Sequence, residues 1–132
     1  MILVDTSVWI DWLRVGDRPA TRLLDRLIDE DSIAMAPVIE QELLMGARGA
    51  TQLEELRAYF SALPVLMPTR RTFIEAGALY ARCRWQGITP RSPHDCLIAQ
   101  TALDQNVPLL ADDRDFDLLA TVEPKLVLLL PN

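Results

Sequence analysis

Met1-Ile2-Leu3-Val4-Asp5-Thr6-Ser7-Val8-Trp9-Ile10 is the stretch that decides the fold. Its first four residues are apolar without alternation, and the run is too short for a core helix. Such a run describes a strand buried on both faces. The run ends at Asp5, and Thr6 or Ser7 can then cap a helix carrying Val8, Trp9, Ile10, Trp12 and Leu13. A buried strand that passes at once into a helix is the opening of an α/β fold.

The pattern repeats outward from this unit. Gly16 and Pro19 break the first helix, and residues 20–30 form an amphipathic one. Leu23, Leu24, Leu27 and Ile28 share one face of it, with Arg22, Asp25, Arg26 and Asp29 opposite. A second strand is expected over 33–36, and Pro37 suits the first turn of a helix ending near Gly46. A helix over 51–63, a third strand over 65–67 between two prolines, and a long helix over 69–86 follow. Ser92-Pro93 opens a helix that runs through Gln105. Then come a strand over 108–111, a short helix after Arg114 and a last strand over 127–130. This alternation predicts one domain over 1–132, with a mainly parallel sheet and helices on both faces.

Composition narrows the function. The chain has 132 residues, 50% hydrophobic and 24% charged, which suits one globular unit rather than a disordered segment. No apolar run approaches the roughly 20 residues of a spanning helix, and the first residues lack the pattern of a signal peptide. A cytoplasmic location without a membrane partner is the expectation. The two cysteines, Cys83 and Cys96, have neither disulfide-scaffold nor metal-site spacing, so both read as reduced thiols on helices. A lone histidine, His94, argues against a zinc site or a serine triad. With 13 basic against 19 acidic residues, the net charge of −6 opposes gripping nucleic acid by bulk charge. It leaves open an enzyme that reaches phosphates through cations held by carboxylates.

In parallel sheets ligands bind at the carboxyl ends of strands. Asp5 lies there after the first strand, and Asp112, Asp113, Asp115 and Asp117 follow the strand at 108–111. Asp95 and Glu42 sit early in helices that open near the same edge. Each acid has an ordinary reading. Asp95 can close a capping box with Ser92, Glu42 can be a solvated helix residue beside Glu40, and the run from Asp112 can be a polar turn. Their joint placement points to a divalent cation. Two carboxylates about 4 Å apart repel by on the order of 4 kcal/mol at an effective dielectric near 20. Mg²⁺ or Mn²⁺ removes that cost and can activate water against a phosphodiester.

Four segments stand out: Asp5-Thr6-Ser7-Val8-Trp9-Ile10, Glu42-Leu43-Leu44-Met45-Gly46, Arg91-Ser92-Pro93-His94-Asp95-Cys96-Leu97-Ile98-Ala99 and Ala111-Asp112-Asp113-Arg114-Asp115-Phe116. Together they resemble the PIN-domain family, and within it the VapC toxins of bacterial toxin–antitoxin pairs. The resemblance spans nearly the whole chain, in order. It implies a three-layer α/β/α domain and a Mg²⁺- or Mn²⁺-dependent endoribonuclease. Asp5, Glu42, Asp95 and Asp113 match the family's acidic quartet as catalytic and metal-holding residues, with Asp112 the alternative to Asp113. Asp115 matches an additional acid of some members. The resemblance further implies a homodimer and a cognate VapB-type antitoxin, through which alone the protein would meet operator DNA. Trp9, Trp12, Leu23, Leu24 and Leu27 are candidates for the antitoxin's apolar groove, and equally for ordinary core. Arg14, Arg82, Arg84 and Arg91 are candidates for steering RNA, because arginine makes forked phosphate contacts.

Other functions fit less well. An aspartyl-phosphate phosphatase or a receiver domain also places an aspartate after its first strand. The phosphatase needs a second acid where Ser7 stands, and both need a lysine better placed than Lys125, the one lysine of the chain. A non-catalytic protein that binds RNA or an antitoxin is the remaining alternative.

Overall fold

Leu3 and Val4 lie fully buried at the centre of a four-stranded sheet. The computed structural model describes residues 1–14 and 16–129. The strands are β1 (Ile2–Val4), β2 (Ile33–Ala34), β3 (Leu109–Leu110) and β4 (Leu128–Leu129). They run in the order β2-β1-β3-β4, and every ladder is parallel. Leu3 pairs with Ala34 on one side and Leu109 on the other, and Leu109 pairs with Leu128. The short apolar runs are strands for the reason the sequence suggests: all the residues of β2 and β3 are buried. Leu130, the end of the expected last strand, lies outside the described residues.

Among the described residues, seven helices connect and cover the strands. They are α1 (Thr6–Leu13), α2 (Pro19–Asp29), α3 (Pro37–Met45), α4 (Ala50–Ser61), α5 (Arg70–Trp85), α6 (Pro93–Gln105) and α7 (Arg114–Val122). From β1 the chain moves outward through α1 and α2 to β2, then crosses to the other side of β1 to enter β3. Because parallel crossovers are right-handed, that reversal puts α1 and α2 on one face and α6 and α7 on the other. The protein is therefore a three-layer α/β/α structure, as expected. It also makes the gap between β1 and β3 the switch point, where a crevice opens outside the carboxyl ends of the strands.

Three details differ from the sequence reading. The third strand expected over 65–67 contributes one bridge, Met35 to Val65, held by Met35 N to Pro64 O and Leu66 N to Met35 O, both 2.8 Å. Pro64 and Pro68 have no amide hydrogen to extend it. The cap of α1 is Asp5 itself, not Thr6 or Ser7, because Asp5 is the single residue between the strand and the helix. Trp9, Leu24 and Leu27 are core rather than groove: Trp9 and Leu24 are wholly buried and Leu27 nearly so. Phe60 of α4 packs edge-on against Trp9 at 5.2 Å, so α4 occupies the surface that α1 would otherwise offer. Trp12 and Leu23 stay partly exposed.

Candidate metal centre

Asp5 is fastened twice. Its amide donates to the Leu110 carbonyl at 2.9 Å, extending the β1–β3 pairing by one residue. Its carboxylate accepts from the Ser7 hydroxyl at 2.6 Å and more weakly from the Ser7 amide at 3.4 Å. The residue that ends the strand thus also starts the helix, and its carboxyl group is held, 4% exposed, at the switch point. Asp113 repeats the arrangement after β3. It caps α7, its Oδ1 accepting from the Asp115 amide at 2.9 Å.

Asp95 is the third residue of α6, whose cap is Ser92 with its hydroxyl oxygen accepting from the His94 amide at 3.1 Å. The ordinary explanation for Asp95 fails here. Among the described residues its carboxylate takes no hydrogen bond from the Ser92 amide, so no capping box closes. The side chain is turned to the other acids instead. One carboxylate oxygen from each of Asp95, Asp113 and Asp115 lies within 4.8 Å of the others. Asp5 and Glu42 stand just outside that trio, yet both act on it. Burial pushes the Asp95 carboxyl up to about 7, and the charges of Asp5, Asp113, Asp115 and Glu42 push in the same direction. Burial also raises Asp5, opposed by the Ser7 hydrogen bonds. Positive helix N-termini at α1, α6 and α7 converge on these acids.

Glu42 reaches the group from α3. Its Oε1 accepts from the Thr6 hydroxyl at 2.8 Å, and its Oε2 lies 3.7 Å from His94 Nδ1. Asp112 turns away: its carboxylate faces Arg18 at 3.7 Å, and Arg18 also approaches Asp11 at 3.9 Å. Between the two neighbouring aspartates, Asp113 is the one brought to the trio. An all-oxygen donor set of this kind suits a hard cation and excludes a soft one.

Residues 2–122 match the PIN-domain family model. The chain belongs to the PIN-domain family. It is 34% identical to Ribonuclease VapC11 of Mycobacterium tuberculosis over 125 residues, which cover 92% of this chain and 93% of that protein. Among solved structures it superposes on a toxin-antitoxin complex from Klebsiella pneumoniae with a TM-score of 0.75 at 21% identity, covering 100% of this chain and 98% of that chain. The DNA-bound VapBC of Salmonella typhimurium gives a TM-score of 0.75 at 22% identity, with 97% and 96% of the two chains covered. These two likenesses establish the fold. No described helix of this PIN domain is long and apolar enough to cross a membrane.

The arginines of the PIN domain divide by distance from the acids. Arg91 lies directly on them, its Nε 2.9 Å from Asp115 Oδ2 and its Nη2 2.9 Å from Asp113 Oδ1. Arg14 shares a groove of about 380 Å³ with Glu42, Arg48, Gln52 and Leu56. Arg82 is 3.8 Å from Glu123, at the opposite end of α7 from the acids, and Arg84 is exposed. Sequence reasoning missed two participants, His94 beside Glu42 and Arg48 in the groove, and gave Thr6 an orienting role without naming Glu42 as its partner. The pairing of Thr6 with Glu42 spans 36 residues, so no local spacing announces it. Cys83 and Cys96 are the free, buried thiols expected of helix residues, and burial pushes Cys96 up to about 12.

Proposed function

We propose that this protein is a metal-dependent endoribonuclease, the toxin of a VapBC-type pair, acting in the cytoplasm as a single domain. One observation carries the reading: five acids from α1, α3, α6 and α7 converge at the switch point of the sheet, with Asp95 raised to about 7 by burial and its acidic neighbours. Structural carboxylates are seldom gathered at such cost, whereas catalytic ones commonly are. The relationship to the VapC ribonucleases supplies the substrate class.

Asp95, Asp113 and Asp115 would hold the cation, Mg²⁺ or Mn²⁺, with Asp5 and Glu42 completing the acidic quartet with Asp95 and Asp113. Bound there, a divalent ion supplies Lewis-acid activation of water and neutralises charge developing on the phosphodiester. Ser7 fixes the Asp5 carboxylate through the 2.6 Å hydrogen bond, and Thr6 fixes Glu42. Outer partners of this kind set the orientation of the acids. Arg91 and Arg14 stand nearest for RNA phosphates, with Arg82 and Arg84 further along the surface. The partners are a second copy of the chain and a VapB-type antitoxin, which would supply any contact with operator DNA. That two structural neighbours are toxin–antitoxin complexes, one of them bound to DNA, supports the antitoxin assignment.

The test maps new RNA ends after brief production of the protein without antitoxin, comparing wild type with Asp5→Asn. Discrete ends made by wild type alone are the expected result and would name the target. Their absence, with both proteins folded, would turn the reading towards a binder that does not cleave.

A further inference from the structure

We propose that Arg91 is the resident counter-ion of the acid cluster, holding Asp113 and Asp115 while no metal is bound and yielding them when a divalent cation arrives. The proposal rests on the metal-dependent reading above and concerns how the site is kept ready. The guanidinium bridges two different carboxylates, Nε to Asp115 Oδ2 and Nη2 to Asp113 Oδ1, each at 2.9 Å. The Arg91 amide adds a longer contact to Asp115 Oδ2 at 3.4 Å. These are two of the three acids whose carboxylate oxygens lie close enough together to hold one ion.

Competition follows from the lone pairs. Asp113 Oδ1 already accepts from both Arg91 and the Asp115 amide, so while the fork is closed a cation has only the Oδ2 of this residue to bind. A divalent ion bound by the trio would also repel a guanidinium at hydrogen-bond distance from the same oxygens. Displacement is sterically free, because the Arg91 side chain is 73% exposed whereas those of Asp113 and Asp115 are 24% and 13% exposed. The fork closes over the acids from the solvent side, and opening it disturbs no core residue. Arg91 stands on the connection between α5 and α6, beyond Gly87, whose φ of 76° lets the chain turn there. Arginine suits the position better than lysine, since its planar fork presents two N–H donors in fixed geometry to two carboxylates.

The experiment titrates Mn²⁺ into metal-stripped full-length protein, read by calorimetry, for wild type, Arg91→Gln, Arg91→Lys and Arg18→Gln. Melting temperatures are recorded in EDTA and in saturating Mn²⁺. Arg91→Gln is expected to bind Mn²⁺ about tenfold tighter, the order of one charge-assisted hydrogen bond lost by the competitor. It should also melt lower than wild type in EDTA, by a margin that narrows with Mn²⁺. Arg91→Lys should fall between the two. Arg18→Gln removes an equal charge near Asp112 without touching Asp113 or Asp115 and should shift affinity less than about twofold. Unchanged or weaker binding by Arg91→Gln overturns the proposal, as does an equal gain in Arg18→Gln. If Arg91→Gln fails to fold, Arg91→Lys decides by the same criterion. Failure of both wild type and the Arg91 variants to bind Mn²⁺ would sink the metal-dependent reading too. A wild type that binds and an Arg91→Gln that binds equally would sink this proposal alone.

Discussion

Asp95 turns the geometry of the acids into a measurable property. Its carboxyl is raised from 3.8 to about 7, chiefly by burial and then by four acidic neighbours. Between those values the folded, metal-free protein keeps a proton that the unfolded chain has lost. Stability contributed by that proton is complete below the unfolded value and drains away as pH rises from about 4 to about 7. Asp95→Asn removes the titration while keeping size and polarity. Thermal melts in EDTA should therefore show wild type losing stability relative to Asp95→Asn across that window, with a constant gap above it. Asp95 is partly exposed, so solvent screening limits the gap to about 1–2 kcal/mol. Curves that stay parallel from pH 4 to pH 8 would refute the crowding of Asp95 by the other acids. Saturating Mn²⁺ should erase the difference in wild type, because a bound cation keeps Asp95 ionised at neutral pH.

Elements place the acids, and the sequence displayed the elements unevenly. β1 and β3 were readable because each is an apolar run stopping at an acid, and Asp5 and the segment from Asp112 follow directly from that punctuation. The bridge at Val65 was over-read as a strand, since apolar residues between prolines share the composition of a strand without its donors. The burial of Trp9 and Leu24 was readable only as one of two outcomes, core or partner groove. Periodicity gives a helix an apolar face but does not say that α4 will cover it with Phe60. The strut between α1 and α3 was equally hidden, because the partners of the Thr6–Glu42 hydrogen bond belong to different helices. That strut yields a test at its own scale. Thr6→Val keeps the shape and deletes the hydroxyl, leaving Glu42 half-buried without its donor. Stability should fall by only about 1 kcal/mol, whereas Mn²⁺ affinity or RNA cleavage should fall roughly 10-fold or more. A variant that loses stability but keeps both functions would show that Thr6 merely ties two helices together.

Taken whole, the molecule carries a net charge of −6, yet its proposed substrate is a polyanion. Its long-range field repels RNA, so attraction has to be local, from the arginines near the site and from a cation held among the acids. Two effects of an added divalent ion then oppose each other. In bulk solution the ion competes for phosphates and weakens any protein that binds by releasing counter-ions. At the acid cluster it offsets the charge of Asp95, Asp113 and Asp115, whose carboxylates converge there. If the cluster is where RNA docks, the local effect wins and the sign of the ion's influence is reversed. Fluorescence anisotropy with a labelled RNA should thus give about tenfold tighter binding in Ca²⁺ than in EDTA at matched ionic strength. The probe's length would be checked on a gel after each titration. Asp113→Asn should lose that gain and show only the bulk weakening. Tighter binding in EDTA than in Ca²⁺ by wild type would mean that RNA sits on the arginine surface away from the acids, and that the cluster does not meet its substrate there.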